Sequence, residues 1–182
     1  MSNTENPSGS PVISVMLSPQ ELDRRIKELG KEISDDYAQA DLVLVSVLKG
    51  SFIFAADLCR SITVAHSIDF LAASSYGHET MSSGEVQLTQ DLSNPIAGKD
   101  VLVVEDIADT GLTLSYLLQN LKARQPRSVK VAALLDKPSN RKKQVHVDYV
   151  GFTIPNKFVI GFGLDYAGKY RNLPYIGVLE KH

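Results

Sequence analysis

Tryptophan is absent and cysteine occurs once, at Cys59, in a chain of 182 residues. A single thiol excludes an intrachain disulfide and fits a reducing compartment. Cys59 lies in an apolar helical pattern with no histidine beside it, so it reads as buried filler rather than a nucleophile. No apolar run approaches the length of a membrane span, and the N-terminus has no signal-peptide core. A cytoplasmic chain with no membrane partner is the expectation. Charge of one sign is lacking too: 19 Lys and Arg stand against 21 Asp and Glu, a net charge of -2. With no global positive field, a general nucleic-acid binder is excluded. The one basic run, Arg141-Lys142-Lys143, reads as a solvated surface turn.

What is present is a regular alternation of apolar strands and amphipathic helices. Residues 1–11 are mostly Ser, Asn, Pro and Gly and are expected to be a disordered tail. Ser18, Pro19 and Glu21 spell a helix cap with a capping box, and Leu22, Ile26, Leu29 and Ile33 follow on one face. Buried strands are expected at 42–48, 101–104 and 128–135, and helices at 52–60 and 112–124. Residues 67–74 and 85–90 read as a hairpin around a loop at 75–84. This rhythm predicts an α/β fold, with a mainly parallel central sheet flanked by helices. After Lys137 only short pieces remain, at 145–151, 158–161 and 176–179, punctuated by Pro and Gly. They suit a small hood. One domain over 12–182 is expected, its core at about 36–140 and its hood drawn from the N-terminal segment and 145–182.

The chemistry concentrates in one run, Val101-Leu-Val-Val-Glu105-Asp106-Ile-Ala-Asp109-Thr110-Gly111-Leu112-Thr113. A buried strand is expected to end at two carboxylates, and a hydroxyl-bearing glycine turn then opens a helix. Backbone N–H groups at a helix N-terminus converge on a phosphate, and Gly111 permits close approach. The acids do not suit phosphate alone; they suit sugar hydroxyls and a metal. The ligand should carry phosphate on one side and a polyol on the other.

That run resembles the phosphoribosyl-pyrophosphate motif of type I phosphoribosyltransferases. Its spelling is similar to the hypoxanthine (hypoxanthine-guanine) branch, given V-L-K-G upstream, S-S-Y-G in the loop and K-F-V-I-G-F-G-L-D-Y-A-G-K-Y-R-N-L-P-Y-I-G-V-L near the end. The likeness spans residues 12–179. It implies the type I phosphoribosyltransferase fold and Mg-dependent transfer of a phosphoribosyl group to a 6-oxopurine. By resemblance, Glu105 and Asp106 bind ribose, while Asp109, Thr110, Gly111, Leu112 and Thr113 form the 5'-phosphate cradle. Asp109 is also implied as the catalytic acid–base group at purine N7, against a plain turn-forming role.

The resemblance further assigns Lys49, Gly50 and Arg171 to pyrophosphate, with a non-proline cis peptide between Leu48 and Lys49. Lys137, Phe158, Val159 and Asp165 are assigned to the purine. An ammonium at Lys137 offers donors only, which suits a 6-oxo group and not a 6-amino group. A core phenylalanine is the ordinary alternative for Phe158. Asp165, with Glu105 and Asp106, is implied to hold magnesium, and Ser75 and Tyr76 belong to a loop that closes over the centre. A homodimer or homotetramer acting on small molecules is the family expectation. Another phosphoribosyltransferase specificity, such as xanthine or a pyrimidine, and a non-catalytic regulator that senses nucleotide or binds nucleic acid remain the rival readings.

Overall fold

The computed structural model describes residues 13–75 and 86–179. The tail at 1–11 and most of the loop at 75–84, Tyr76 included, lie outside the described residues.

The first strand, β1 (Ile13–Leu17), leads into α1 (Pro19–Asp36). The capping box forms as the spacing predicts. Ser18 Oγ accepts from the Glu21 N–H, and Glu21 Oε2 accepts from the Ser18 N–H at 2.8 Å. Ser18→Ala is expected to lose about 1 kcal/mol, lowering Tm by about 2–4 °C for a chain of this size. A thermal melt checks it.

Then follow β2 (Leu42–Leu48), α2 (Phe52–Ser61), β3 (His66–Ser75), β4 (Val86–Gln90), β5 (Asp100–Ala108), α3 (Leu112–Lys122) and β6 (Ser128–Asp136). The chain closes with β7 (Tyr149–Thr153), β8 (Val159–Ile160) and β9 (Ile176–Leu179). Six strands form the core sheet in the order β4-β3-β2-β5-β6-β7, all parallel except β4, which pairs antiparallel with β3.

The strands alternate their side chains between two cores. Leu44, Leu102, Val104 and Leu134 pack with Leu22, Ile26, Leu29 and Ile33 of α1 and with Phe54 and Leu58 of α2. Val43, Val45, Val101, Val103 and Val131 pack with Leu114, Leu117 and Leu121 of α3 on the opposite face. A sheet covered on both sides explains why its strands read as unbroken apolar runs. No helix of the described residues is long and apolar enough to cross a membrane.

Two elements differ from the sequence reading. Strand β5 does not stop at the acid pair but continues through Glu105 and Asp106 to Ala108, pairing with β6 as far as Asp136. Residues 145–147 are not strand; β7 begins at Tyr149 and joins the core sheet rather than the hood. Asp148 is the reason. Its N–H donates to the Val131 carbonyl and its Oδ2 accepts from the Val131 N–H, so pairing with β6 starts only there. Arg25 of α1 then covers this sheet edge, donating to the carbonyls of Val150 and Gly151. The small second sheet holds β1, β9 and β8, all antiparallel.

Candidate active site

The carboxyl ends of β2, β5 and β6 lie side by side, the place where open parallel sheets collect ligands. Around the last two, a cleft of about 260 Å³ is lined by Asp106, Asp109, Lys137, Phe158, Val159 and Asp165. All six are residues that the sequence singled out. A smaller hollow of about 100 Å³ adjoins it, formed by Glu105, Asp109, Thr110, Gly111 and Thr113. Asp109 borders both. A larger concavity of about 450 Å³ lies near the starts of β2 and β3 around Asp69. There the buried acid is already occupied by the N–H groups of Phe70, Ser93 and Asn94, so it serves the fold.

The smaller hollow is built by the turn from β5 into α3. Gly111 adopts φ 79° just before the helix, a left-handed conformation that favours glycine, and a Cβ there would overlap the Lys143 carbonyl. Gly111 offers no side-chain cap, so the first N–H groups of α3 are available to an anion; Thr110 Oγ1 accepts only the Leu112 N–H, at a long 3.4 Å.

Strand geometry separates the two acids, since neighbouring side chains leave opposite faces. Glu105 is buried, and its Oε2 has no hydrogen-bond partner among the described residues. Burial, and next the Asp106 charge, hold its carboxyl well above the usual carboxylate range. Asp106 is partly buried and its carboxyl is pushed up to about 6, first by burial, with the Asp165 charge adding and the Ile107 N–H and Arg171 opposing. A buried acid with an unpartnered oxygen, beside a second acid raised by burial, marks a place where a polar ligand belongs.

Lys49 and Gly50 sit in the turn after β2, and the Leu48–Lys49 peptide is cis, as the resemblance implied. Gly50 packs directly against Asp106: a Cβ would overlap its carboxylate. Arg171 Nη2 pairs with Asp165 Oδ1 at 2.6 Å, and its Nη1 donates to the Gly163 carbonyl at 2.6 Å. Asp165 Oδ2 also accepts the Gly168 N–H. The Asp165 charge is felt at Asp106, whose carboxyl it helps to raise. No group of three His, Cys, Asp or Glu suited to a metal exists among the described residues.

Lys137 is 6% exposed, and its Nζ lies 3.5 Å from Asp109 Oδ2. The other oxygen, Oδ1, accepts from Asn140 Nδ2 at 2.7 Å. Asp109 is thus oriented by the segment after β6 rather than by its own turn. Phe158 is 50% exposed, which removes the core-phenylalanine alternative, and it meets Tyr166 edge-on with centroids 5.8 Å apart. Val159 beside it is buried. Ser75 ends β3, at the same edge of the sheet as the cleft.

Sequence reasoning missed three residues here. Tyr166 is half exposed beside Phe158, in a Leu-Asp-Tyr run whose acid alone drew notice. Asn140 carried no motif signal. Arg141 is the third, and its reading as part of a solvated turn is overturned: its side chain is 7% exposed, ion-paired with Asp136, and donates to the Ala108 carbonyl at 3.2 Å. Lys142 and Lys143 are exposed as expected.

Comparison with known proteins fits this geometry. The family model described as phosphoribosyl transferase domain matches residues 17–167. The hypoxanthine-guanine phosphoribosyltransferase of Bacillus subtilis is 48% identical over 166 residues, which is 91% of this chain and 92% of that one. The hypoxanthine phosphoribosyltransferase of Escherichia coli K12 is 49% identical over 167 residues, 91% of this chain and 94% of that one. Among solved structures, a hypoxanthine phosphoribosyltransferase from Staphylococcus aureus superposes with a TM-score of 0.88 at 46% identity, covering 92% of this chain and 91% of that one.

Proposed function

The chain belongs to the phosphoribosyltransferase family, and from that premise we propose that it serves purine salvage. It moves the 5-phosphoribosyl group of 5-phosphoribosyl 1-diphosphate to N9 of hypoxanthine or guanine, giving IMP or GMP and releasing pyrophosphate. The observation that carries this reading is the shared position of Asp109, which borders both the phosphate-sized hollow and the cleft holding Lys137 and Phe158. A sugar phosphate seated in the first is then held beside a base in the second.

The roles follow from what each group offers. Helix N–H groups with Thr110, Gly111, Leu112 and Thr113 hold the 5'-phosphate. Glu105 and Asp106 accept from ribose hydroxyls, which gives the unpartnered Glu105 Oε2 a donor. Lys137 donates to the 6-oxo group, Phe158 stacks on the purine with Val159 at its edge, and Asp109 takes the proton of N7 as the bond to N9 forms. Departing pyrophosphate gathers charge against Lys49, the Gly50 backbone and Arg171, whose planar fork suits that anion. Magnesium, when bound, neutralises that charge. Asp165 and Asp106 would hold it as one or two carboxylates with retained waters, a mode that needs no three-ligand cage. Ser75 closes β3 rather than opening the loop, and the resemblance assigns the Tyr76 segment after it to keeping water from the activated sugar. The same reading makes the enzyme a cytoplasmic homodimer or homotetramer, which sedimentation measures.

Incubation with magnesium, 5-phosphoribosyl 1-diphosphate and one base at a time, followed by a pyrophosphate assay, tests the assignment. Release is expected with hypoxanthine or guanine and not with adenine. Release with xanthine alone overturns the base specificity. No release with any base overturns the enzyme reading in favour of a nucleotide-sensing regulator.

A further inference from the structure

The segment after β6 grips three consecutive residues of the β5–α3 turn. The Lys137 N–H and the Arg141 guanidinium both donate to the Ala108 carbonyl. The N–H groups of Lys142 and Lys143 both donate to the Thr110 carbonyl, at 2.9 and 3.0 Å. Between these anchors, Asn140 donates its amide to Asp109 Oδ1 at 2.7 Å. Pro138 opens the short 3-10 turn over Pro138–Asn140 that presents this amide, and its fixed φ suits the first position of such a turn.

Backbone bonds set where the turn lies. Two side chains reach the carboxylate that is asked to move a proton: Asn140 takes Oδ1 at 2.7 Å, and the Lys137 ammonium lies farther off, 3.5 Å from the other oxygen. The second oxygen, Oδ2, stays beside Lys137 and the cleft. A neutral donor on Oδ1 holds the carboxylate in orientation without adding a second positive charge to that of Lys137, a form of preorganisation. We infer that Asn140 is a positioning residue for Asp109, holding Oδ1 so that Oδ2 faces purine N7. This rests on the assignment of Asp109 as the proton-transfer group.

Four proteins assayed side by side decide the matter: the wild type, Asn140→Ala, Asn140→Asp, and Asn140→Ala combined with Asp109→Asn. Asn140→Ala is expected to lower kcat about 10-fold, the order of one hydrogen bond to a charged group, with KM for 5-phosphoribosyl 1-diphosphate and base changed less than about threefold. Asn140→Asp keeps size and polarity but places a second carboxylate against Asp109, so it should lose more than the alanine variant. In the Asp109→Asn background, Asn140→Ala should cost nothing further, because no carboxylate is left to orient. A merely structural Asn140 predicts equal losses in both backgrounds, and that result overturns the inference. Wild-type turnover in both single variants overturns it too. If the wild type itself releases no pyrophosphate with any base, it is the underlying enzyme assignment that falls.

Discussion

Asp109→Asn is expected to cut turnover at least ~10²-fold, the low end of acid–base catalysis, while KM for 5-phosphoribosyl 1-diphosphate stays near its wild-type value. The geometry separates the two quantities. Asp109 borders the 5'-phosphate hollow, but the donors there are helix N–H groups and the Thr110 and Thr113 hydroxyls, none of which depends on its carboxylate. The turn itself is tied down through the carbonyls of Ala108 and Thr110, so it should keep its shape in the variant. An asparagine at 109 still offers Asn140 a carbonyl oxygen at the place of Oδ1. What it cannot do is take a proton, since its second group is an NH2 that already donates. That NH2 would also face the Lys137 ammonium, replacing attraction by donor against donor. Steady-state pyrophosphate release at saturating base measures the effect. Near-normal kcat in this variant would remove Asp109 from the chemistry and leave it as a turn residue.

The core was legible because its signals are local. The α1 capping box needs only Ser18 and Glu21, three residues apart, and the buried strands need only uninterrupted apolar runs. The cradle was legible for the same reason: strand, turn, glycine and helix start are contiguous in sequence. What escaped depends on partners distant along the chain. Arg141 looked solvated because charge runs usually are, yet it is buried by the carbonyl of Ala108, 33 residues away, and by Asp136. Asn140 reaches Asp109 across 31 residues. Polar residues usually close a buried run, which puts the expected end of β5 at the two acids, but the β6 ladder carries the strand past them. Likewise Val145 and Val147 alternate as a strand should, and Asp148 delays the pairing. Local pattern thus located the carboxylates that line the cleft, and only tertiary structure revealed what orients Asp109.

Asp106→Asn is expected to make the ligand-free protein more stable and the enzyme far worse. In the unfolded chain an aspartate ionises near pH ~3.9, whereas in the fold burial pushes Asp106 up to about 6. Between those values the native state binds more protons than the unfolded one, so stability falls as pH rises from about 4 to about 6 and then levels off. An amide at 106 removes that cost. It still accepts the Ile107 N–H, and it relieves Glu105, whose carboxyl is raised partly by the Asp106 charge. At pH 7 without ligand the variant should therefore melt above the wild type, by about 2–4 °C for each kcal/mol recovered. The gap should close below about pH 4, where the wild-type acid is protonated in both states. Catalysis moves the other way. Losing a charged acceptor for ribose hydroxyls should lower kcat/KM about 10–100-fold, as expected for a hydrogen bond to an ionised group. Wild-type kcat/KM should for the same reason decline as pH falls through about 6. Thermal melts at pH 4 and pH 7, paired with kinetics at pH 7, check both arms. A ligand-free variant that melts below the wild type at pH 7 would show that the Asp106 charge supports the fold itself, and the case for an acid held in waiting for the sugar would fail.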